Sequence, residues 1–199
     1  MTAILTPRDQ IINELRGRLL AREWPPGTRL KEHALVREFG VGRGPIRDVL
    51  LELTKEGYLR MLPNRGVTVG GFPDSPARPV YVETRRELES LALRRGYPRW
   101  PADAMARLER ILQHFELAAQ ANQLPEVIEH DMAFHRFLIT QYPEEDLSVV
   151  WLPLMTTLAL PYSRHANLMQ SYQEHANIVA LLCRGELEAA IAALRTHIQ

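Results

Sequence analysis

Val41-Gly42-Arg43-Gly44-Pro45-Ile46-Arg47-Asp48-Val49-Leu50-Leu51-Glu52-Leu53 is the stretch on which the reading of the fold turns. Ile46, Val49, Leu50 and Leu53 fall at i, i+3, i+4 and i+7, the spacing of one buried helical stripe. Arg43 and Arg47 are four apart and share another face near the helix start. Like charges at that spacing disfavour an isolated helix by about 0.2–0.5 kcal/mol, so the pair suits an anion from outside. Duplex DNA is such an anion, and a forked guanidinium also reads guanine in the major groove. A solvated helix end carrying two arginines is the alternative, and the neighbouring elements decide between them.

Upstream, Thr6-Pro7 followed by Ile11, Ile12, Leu15, Leu19 and Leu20 reads as a capped helix start and an apolar stripe. Trp24-Pro25-Pro26-Gly27 ends that helix and turns the chain. A short helix is predicted over Glu32 to Phe39, with Ala34, Leu35 and Phe39 inward, and Gly40-Val41-Gly42 turns it into the Arg43 helix. Two helices joined by a short Gly-containing turn make a helix-turn-helix, whose second helix enters the groove. Downstream, Gly57 to Leu62 and Val67 to Val69 are short β segments around Pro63-Asn64-Arg65-Gly66. This hairpin is read as a wing whose tip presents Arg65, with Gly66 behind it letting the backbone approach a phosphate closely. The alternative is a plain surface hairpin.

Gly27-x-x-Leu30, Leu35-x-x-Glu38-Phe39-Gly40-Val41, Arg43-x-Pro45-Ile46-Arg47, Leu50-x-x-Leu53 and Glu56-Gly57-Tyr58-Leu59 stand in this order over about residues 7–70. Together they resemble the winged helix of the GntR family of bacterial transcription regulators. The resemblance implies that Arg43, Arg47 and the Arg65-Gly66 wing tip touch DNA, and that His33 occupies a further contact position found in some members. Two residues depart from the family pattern: Gly42 replaces a Ser, losing a hydroxyl cap worth a few tenths of a kcal/mol against Gly. Arg22 stands where many members have Gly after the first helix, which predicts a slightly different turn.

Gly70 to Pro79 is a Pro/Gly-rich connection without periodicity, and the domain boundary is placed there. Residues 1–72 form the first domain, 73–79 a linker and 80–199 the second. The second domain reads as helical throughout: Val80–Gly96, with Leu88, Leu91 and Ala92 inward; Pro101–Asn122; Leu124–Thr140; Leu147–Pro161, kinked or broken at Pro153; and Ser171–Arg184 and Glu186–Ile198 as a hairpin about Gly185. The fold class is therefore mostly α, a winged helix-turn-helix followed by an all-helical bundle with room for a ligand between helices.

Asp131 and His135 lie at i, i+4, on one face of their helix. His175 is ten residues before Gly185 and His197 twelve after it, so an antiparallel pair brings them to nearly one height. One carboxylate and three imidazoles are thereby placed to converge, a set that suits Zn, Ni, Mn, Co or Fe as a divalent ion. The ordinary alternative for each is a surface or hydrogen-bonded residue, and His114, His130 and His165 are read that way. Asp131-x-x-Phe134-His135, His175-x-x-Ile178 and Ala189-x-x-x-Ala193-x-x-x-His197 resemble the ligand domain of the FadR-type branch of the same family, and its shortness is closer to the VanR-like subgroup. That resemblance implies a metal held by Asp131, His135, His175 and His197, which helps hold a small organic acid. Arg85-x-x-Leu88-Glu89 is similar to the opening helix of that domain, where an arginine meets the effector carboxylate. A surface pair between Arg85 and Glu89 is the alternative, with Arg86 the candidate if the register slips. The family's usual Asn after the Phe-His helix is absent, and Tyr142-Pro143-Glu144-Glu145 stands there.

Net charge is zero and unevenly spread: 12 Lys and Arg against 9 Asp and Glu in residues 1–74, then 12 against 15. This fits, weakly, a nucleic-acid partner at the first end. The single cysteine, Cys183, excludes an intrachain disulfide, and its apolar run predicts a packed thiol. No apolar run is long enough for a bilayer, and Met1 to Thr6 lack signal-peptide character, so a cytoplasmic protein with no membrane partner is expected. The resulting expectation is a homodimeric repressor on a palindromic DNA operator, controlled by a small organic acid and not an enzyme. The alternatives are a metalloenzyme acting on a small carboxylate and a sensor of the metal itself.

Overall fold

The computed structural model describes residues 6–63, 65–70, 76–159 and 167–199. Asn64 of the hairpin turn, residues 73–75 of the linker and His165 lie outside the described residues. The chain divides into two compact units, Met1–Ser75 with Leu152–Tyr162, and Pro76–Trp151 with Ser163–Gln199.

In the first unit, α1 (Pro7–Leu20) opens on a reciprocal cap. Thr6 Oγ1 accepts from the Asp9 N–H at 3.2 Å and Asp9 Oδ2 from the Thr6 N–H at 3.1 Å. Ile11, Ile12, Leu15, Leu19 and Leu20 are buried, as their spacing predicts. After α1 the chain reverses at Arg22, whose φ of 57° is left-handed. An L-residue is strained there, which explains why a glycine suits this place. The second helix, α2 (Glu32–Phe39), ends on left-handed Gly40, and α3 (Arg43–Lys55) starts from Gly42 without a side-chain cap. The α3 stripe Ile46, Val49, Leu50 and Leu53 is buried, and α3 packs on α1, α2 and the hairpin.

The hairpin pairs β1 (Leu59–Leu62) with β2 (Gly66–Val69), antiparallel, from Leu59 opposite Val69 to Leu62 opposite Gly66. Sequence reading missed a third edge. Where it saw only a turn, Gly27 donates to the Val69 carbonyl at 2.9 Å, Leu30 to that of Val67 at 3.0 Å, and Val69 back to Thr28 at 2.9 Å. Arg29 thereby sits opposite Thr68.

The second unit is helical: α4 (Arg78–Gly96), α5 (Ala104–Gln120), α6 (Leu124–Thr140), the start of α7 (Ser148–Ala159), α8 (Leu168–Cys183) and α9 (Leu187–His197). The packed pairs are α4 with α6 and α9, α5 with α6 and α8, and α8 with α9. Two expectations fail here. Leu91 is exposed, because the inner stripe of α4 is Arg85, Glu89, Ala92, Leu93 and Gly96, and a charged pair occupies places that apolar counting assigns to leucines. Cys183 is exposed rather than packed, at the last turn of α8. α7 continues through Pro153, so of the two outcomes expected there, a kink or a break, the break does not occur. The missing N–H would have bonded the carbonyl of Val149, an exposed residue where water can replace it.

Candidate functional site

Two places gather chemistry-bearing side chains, one in each unit. In the first, α2, α3 and the hairpin enclose a groove of about 650 Å³ lined by Arg29, Lys31, Glu32, His33, Arg47 and Gly66 among others. Arg43 is the first residue of α3 and exposed; Arg47, one turn on, is exposed too. The Arg47 Nε donates to both carboxylate oxygens of Glu32, at 3.1 and 3.0 Å. His33 is exposed on α2, and Arg65 is exposed at the hairpin turn. Gly66 has φ +71°, and a Cβ there would lie 3.7 Å from the Arg29 guanidinium. The groove thus gathers Arg47, His33 and Gly66, with Arg43 at the adjoining helix start and Arg65 at the adjoining turn. Arg29 is an addition that sequence reading missed. Its signal was the Gly27-x-x-Leu30 motif, which the family resemblance rests on but which was given no structure beyond the turn ending at Gly27.

In the second unit, helical geometry puts Asp131 and His135 on one face of α6. The α8–α9 hairpin turns at Gly185, with φ +75°, and sets the His175 and His197 rings 4.3 Å apart. One ligand atom from each of Asp131, His135, His175 and His197 lies within 4.8 Å of every other, and all four residues are buried. The Nε2 of His135 is 3.2 Å from that of His197 and 3.3 Å from that of His175. Asp131 Oδ1 is 3.3 Å from His175 Nε2 and 3.9 Å from the other two.

The outer nitrogens fix how these rings point. His135 Nδ1 faces Glu89 Oε2 at 2.6 Å, His175 Nδ1 the Ser171 carbonyl at 2.8 Å, and His197 Nδ1 Glu174 Oε2 at 2.7 Å. Each partner is an acceptor, so each Nδ1 carries a hydrogen and each ring turns its Nε2 inward. Burial first, then the neighbouring His135, pushes the His175 pKa well below that of a free imidazole. Burial and His175 push His197 down to about 3, against the pull of Glu174. Three Nε2 atoms and a carboxylate oxygen turned toward one point are a donor set that suits a divalent cation. Around a tetrahedral ion with bonds of ~2.0–2.1 Å, donor atoms stand about 3.3 Å apart, which the closer spacings match.

Behind His135, the fully buried Glu89 accepts from Arg85 Nε at 2.7 Å and from Trp151 Nε1 at 2.8 Å. Burial works against its charge, but Arg85 and His135 together hold the carboxyl well below the usual range. The Arg85–Glu89 pair therefore forms in the interior rather than on the surface. Arg86 faces the other way, donating to the Ile198 carbonyl at 2.9 Å. Sequence reading did not assign Glu89, Glu174 or Ser171 to the cluster. Glu89 was visible as a charged residue on an inward stripe, whereas Glu174 serves a ring on the next helix and leaves no local signal. His114 and His130 stack on each other at 5.8 Å, away from the cluster.

A winged helix with a cationic groove, followed by a helical unit with a buried ligand cluster, defines a DNA-binding transcription regulator of the ligand-domain type. Residues 7–69 match the family model of bacterial regulatory proteins, gntR family, and residues 81–199 match the FCD domain. The chain belongs to the GntR family, in the branch that carries an FCD domain. It is 26% identical over 169 residues to the gluconate operon transcriptional repressor of Bacillus licheniformis, covering 83% of this chain and 68% of that one. It is 24% identical over 202 aligned residues to the HTH-type transcriptional repressor RspR of Escherichia coli K12, covering 96% and 87%. The solved structure of E. coli McbR/YncC shares the fold with a TM-score of 0.79 at 20% identity, over 98% of this chain and 95% of that one. The family and these relatives are transcription regulators rather than enzymes. The gntR match implies DNA as a partner and the FCD match a small-molecule effector. No helix among the described residues is long and apolar enough to cross a membrane.

Proposed function

We propose that this chain is a homodimeric, cytoplasmic repressor whose hold on a palindromic operator is set by a small organic acid bound beside a divalent metal. In this reading residues 1–72 grip DNA through Arg43, Arg47, Arg65, Gly66 and His33, with Arg29 beside them. Residues 80–199 bind the effector and dimerise. Two winged helices related by a two-fold axis meet two half-sites of a symmetric operator.

The observation that carries the effector half is the inward convergence of three Nε2 atoms and Asp131 Oδ1, with every Nδ1 held by its own acceptor. Asp131, His135, His175 and His197 are the ligands. The set of three imidazoles and one carboxylate suits Zn, Ni, Mn, Co or Fe alike. A divalent ion there supplies a Lewis-acidic position for a carboxylate oxygen. Arg85, on the inner face of α4, is the guanidinium assigned to the effector's acid group, and its bond to Glu89 ties that group to His135. Effector binding acts on the DNA only insofar as it favours one arrangement of the paired winged helices over another.

Elemental analysis of the purified full-length chain tests the ligand set. We expect about one transition-metal ion per chain, bound by the tetrahedral-type set, and near-complete loss in His175→Ala with helical content retained. Equal metal content in the variant means that the ligands are misassigned. Operator binding measured with metal alone, and with metal plus mono- and dicarboxylates, then separates the acid-responsive reading from a sensor of the ion. A response to the ion that no acid alters would overturn the effector role.

A further inference from the structure

Arg47 is held from one side only. Its Nε points at both oxygens of Glu32, and among the described residues its two terminal nitrogens donate no hydrogen bond. Glu32 is itself fixed. It is the first residue of α2, where the helix dipole favours a carboxylate, and its side chain is two-thirds buried while that of Arg47 is two-thirds exposed. The flexible, exposed partner is therefore anchored by the less mobile one. A guanidinium restrained at Nε presents Nη1 and Nη2 together, in a fixed plane, to whatever enters the groove. That pair of donors is the fork that meets O6 and N7 of a guanine.

A carboxylate on this face also carries a penalty. It lines the same groove as Arg29, Lys31 and His33 and weakens the pull of those cations on phosphate. What it supplies in return is direction.

We propose that Glu32 is a positioning residue for base recognition: it aims Arg47 at a guanine edge and so raises sequence discrimination while lowering general affinity for DNA. This rests on the placement of Arg47 at the DNA in the reading above. The two opposite signs set Glu32 apart from a surface ion pair, which would move neither quantity, and from a plain repulsive charge, which would move both duplex types alike.

The test uses the full-length protein and two probes. One is the duplex that the wild type recovers from a randomised library; the other is the unselected library itself. The ratio of their dissociation constants is the readout. A bidentate arginine–guanine contact is worth about fivefold to 150-fold in discrimination. Glu32→Ala is expected to lower the ratio about tenfold, with tighter binding to the unselected duplexes; unselected binding that does not tighten overturns the affinity half of the proposal. Glu32→Gln keeps one acceptor oxygen and is expected to fall between. In an Arg47→Ala background, Glu32→Ala should lower the ratio no further, because the effect passes through Arg47. A ratio unchanged in both Glu32 variants, or a drop of equal size with Arg47 already absent, overturns the proposal while leaving Arg47 at the DNA. A ratio unchanged in Arg47→Ala, or a wild type with no preferred duplex, overturns the placement of Arg47 as well.

Discussion

The groove and the imidazole cluster are both built from charged and titratable side chains, yet they stand under opposite conditions. Arg43, Arg47 and Arg65 face water, where hydration satisfies them and salt screens them. Glu89, His135 and His175 are fully buried, so only their protein partners, or a bound ion, can satisfy them. The first set is available to an outside polyanion and contributes little to folding. The second set is bound up with the fold itself. A substitution should therefore separate function from stability in the groove and merge the two in the cluster.

Removing the Glu89 carboxylate is the strongest way to expose that difference. Glu89→Ala takes from the buried Arg85 the carboxylate that accepts from its Nε and removes the partner of both the Trp151 indole and the His135 ring. Breaking a buried ion pair on one side costs about 3–5 kcal/mol, so urea unfolding should show a loss of that size. A loss below ~1 kcal/mol, the scale of an exposed ion pair, would place Glu89 in contact with water.

Arg43→Ala should do the reverse. On the proposed placement of Arg43 at the DNA, its loss should weaken binding to a selected duplex by about 1–3 kcal/mol, with folding stability changed by less than ~0.5 kcal/mol. Titration against the duplex and a denaturation curve on the same sample decide it. Equal damage to both would erase the distinction between the two regions.

The smallest effect concerns neither site. Arg22→Gly relieves the left-handed backbone at φ 57° but adds freedom to the unfolded chain. A net gain of about 0.5 kcal/mol is expected as a higher urea midpoint. A destabilised variant would show that Arg22 holds more than a turn.

Much of this architecture was readable from periodicity. The stripes of α1 and α3 and the Gly185 hairpin follow from spacing alone, because each is a local repeat closed by local turn chemistry. The convergence of His175 and His197 was legible for the same reason: arms of nearly equal length about a turn bring their residues to nearly one height. Partners across helices were not legible. Nothing near Glu174 in the chain announces that it holds His197, and nothing near Gly27 announces an edge paired with Val69. The inward stripe of α4 misled apolar counting because Arg85 and Glu89 neutralise each other in the interior, so hydrophobicity was the wrong measure for that face.

The third edge along the wing carries a consequence of its own. A lone two-stranded ribbon is marginal in water and would sample many shapes. Stitched to the segment running from Gly27 to Leu30, the paired strands are held in shape before any partner is met. Little ordering then remains to be done on contact, so the encounter rate should be governed by diffusion and charge rather than by waiting for the loop to take shape.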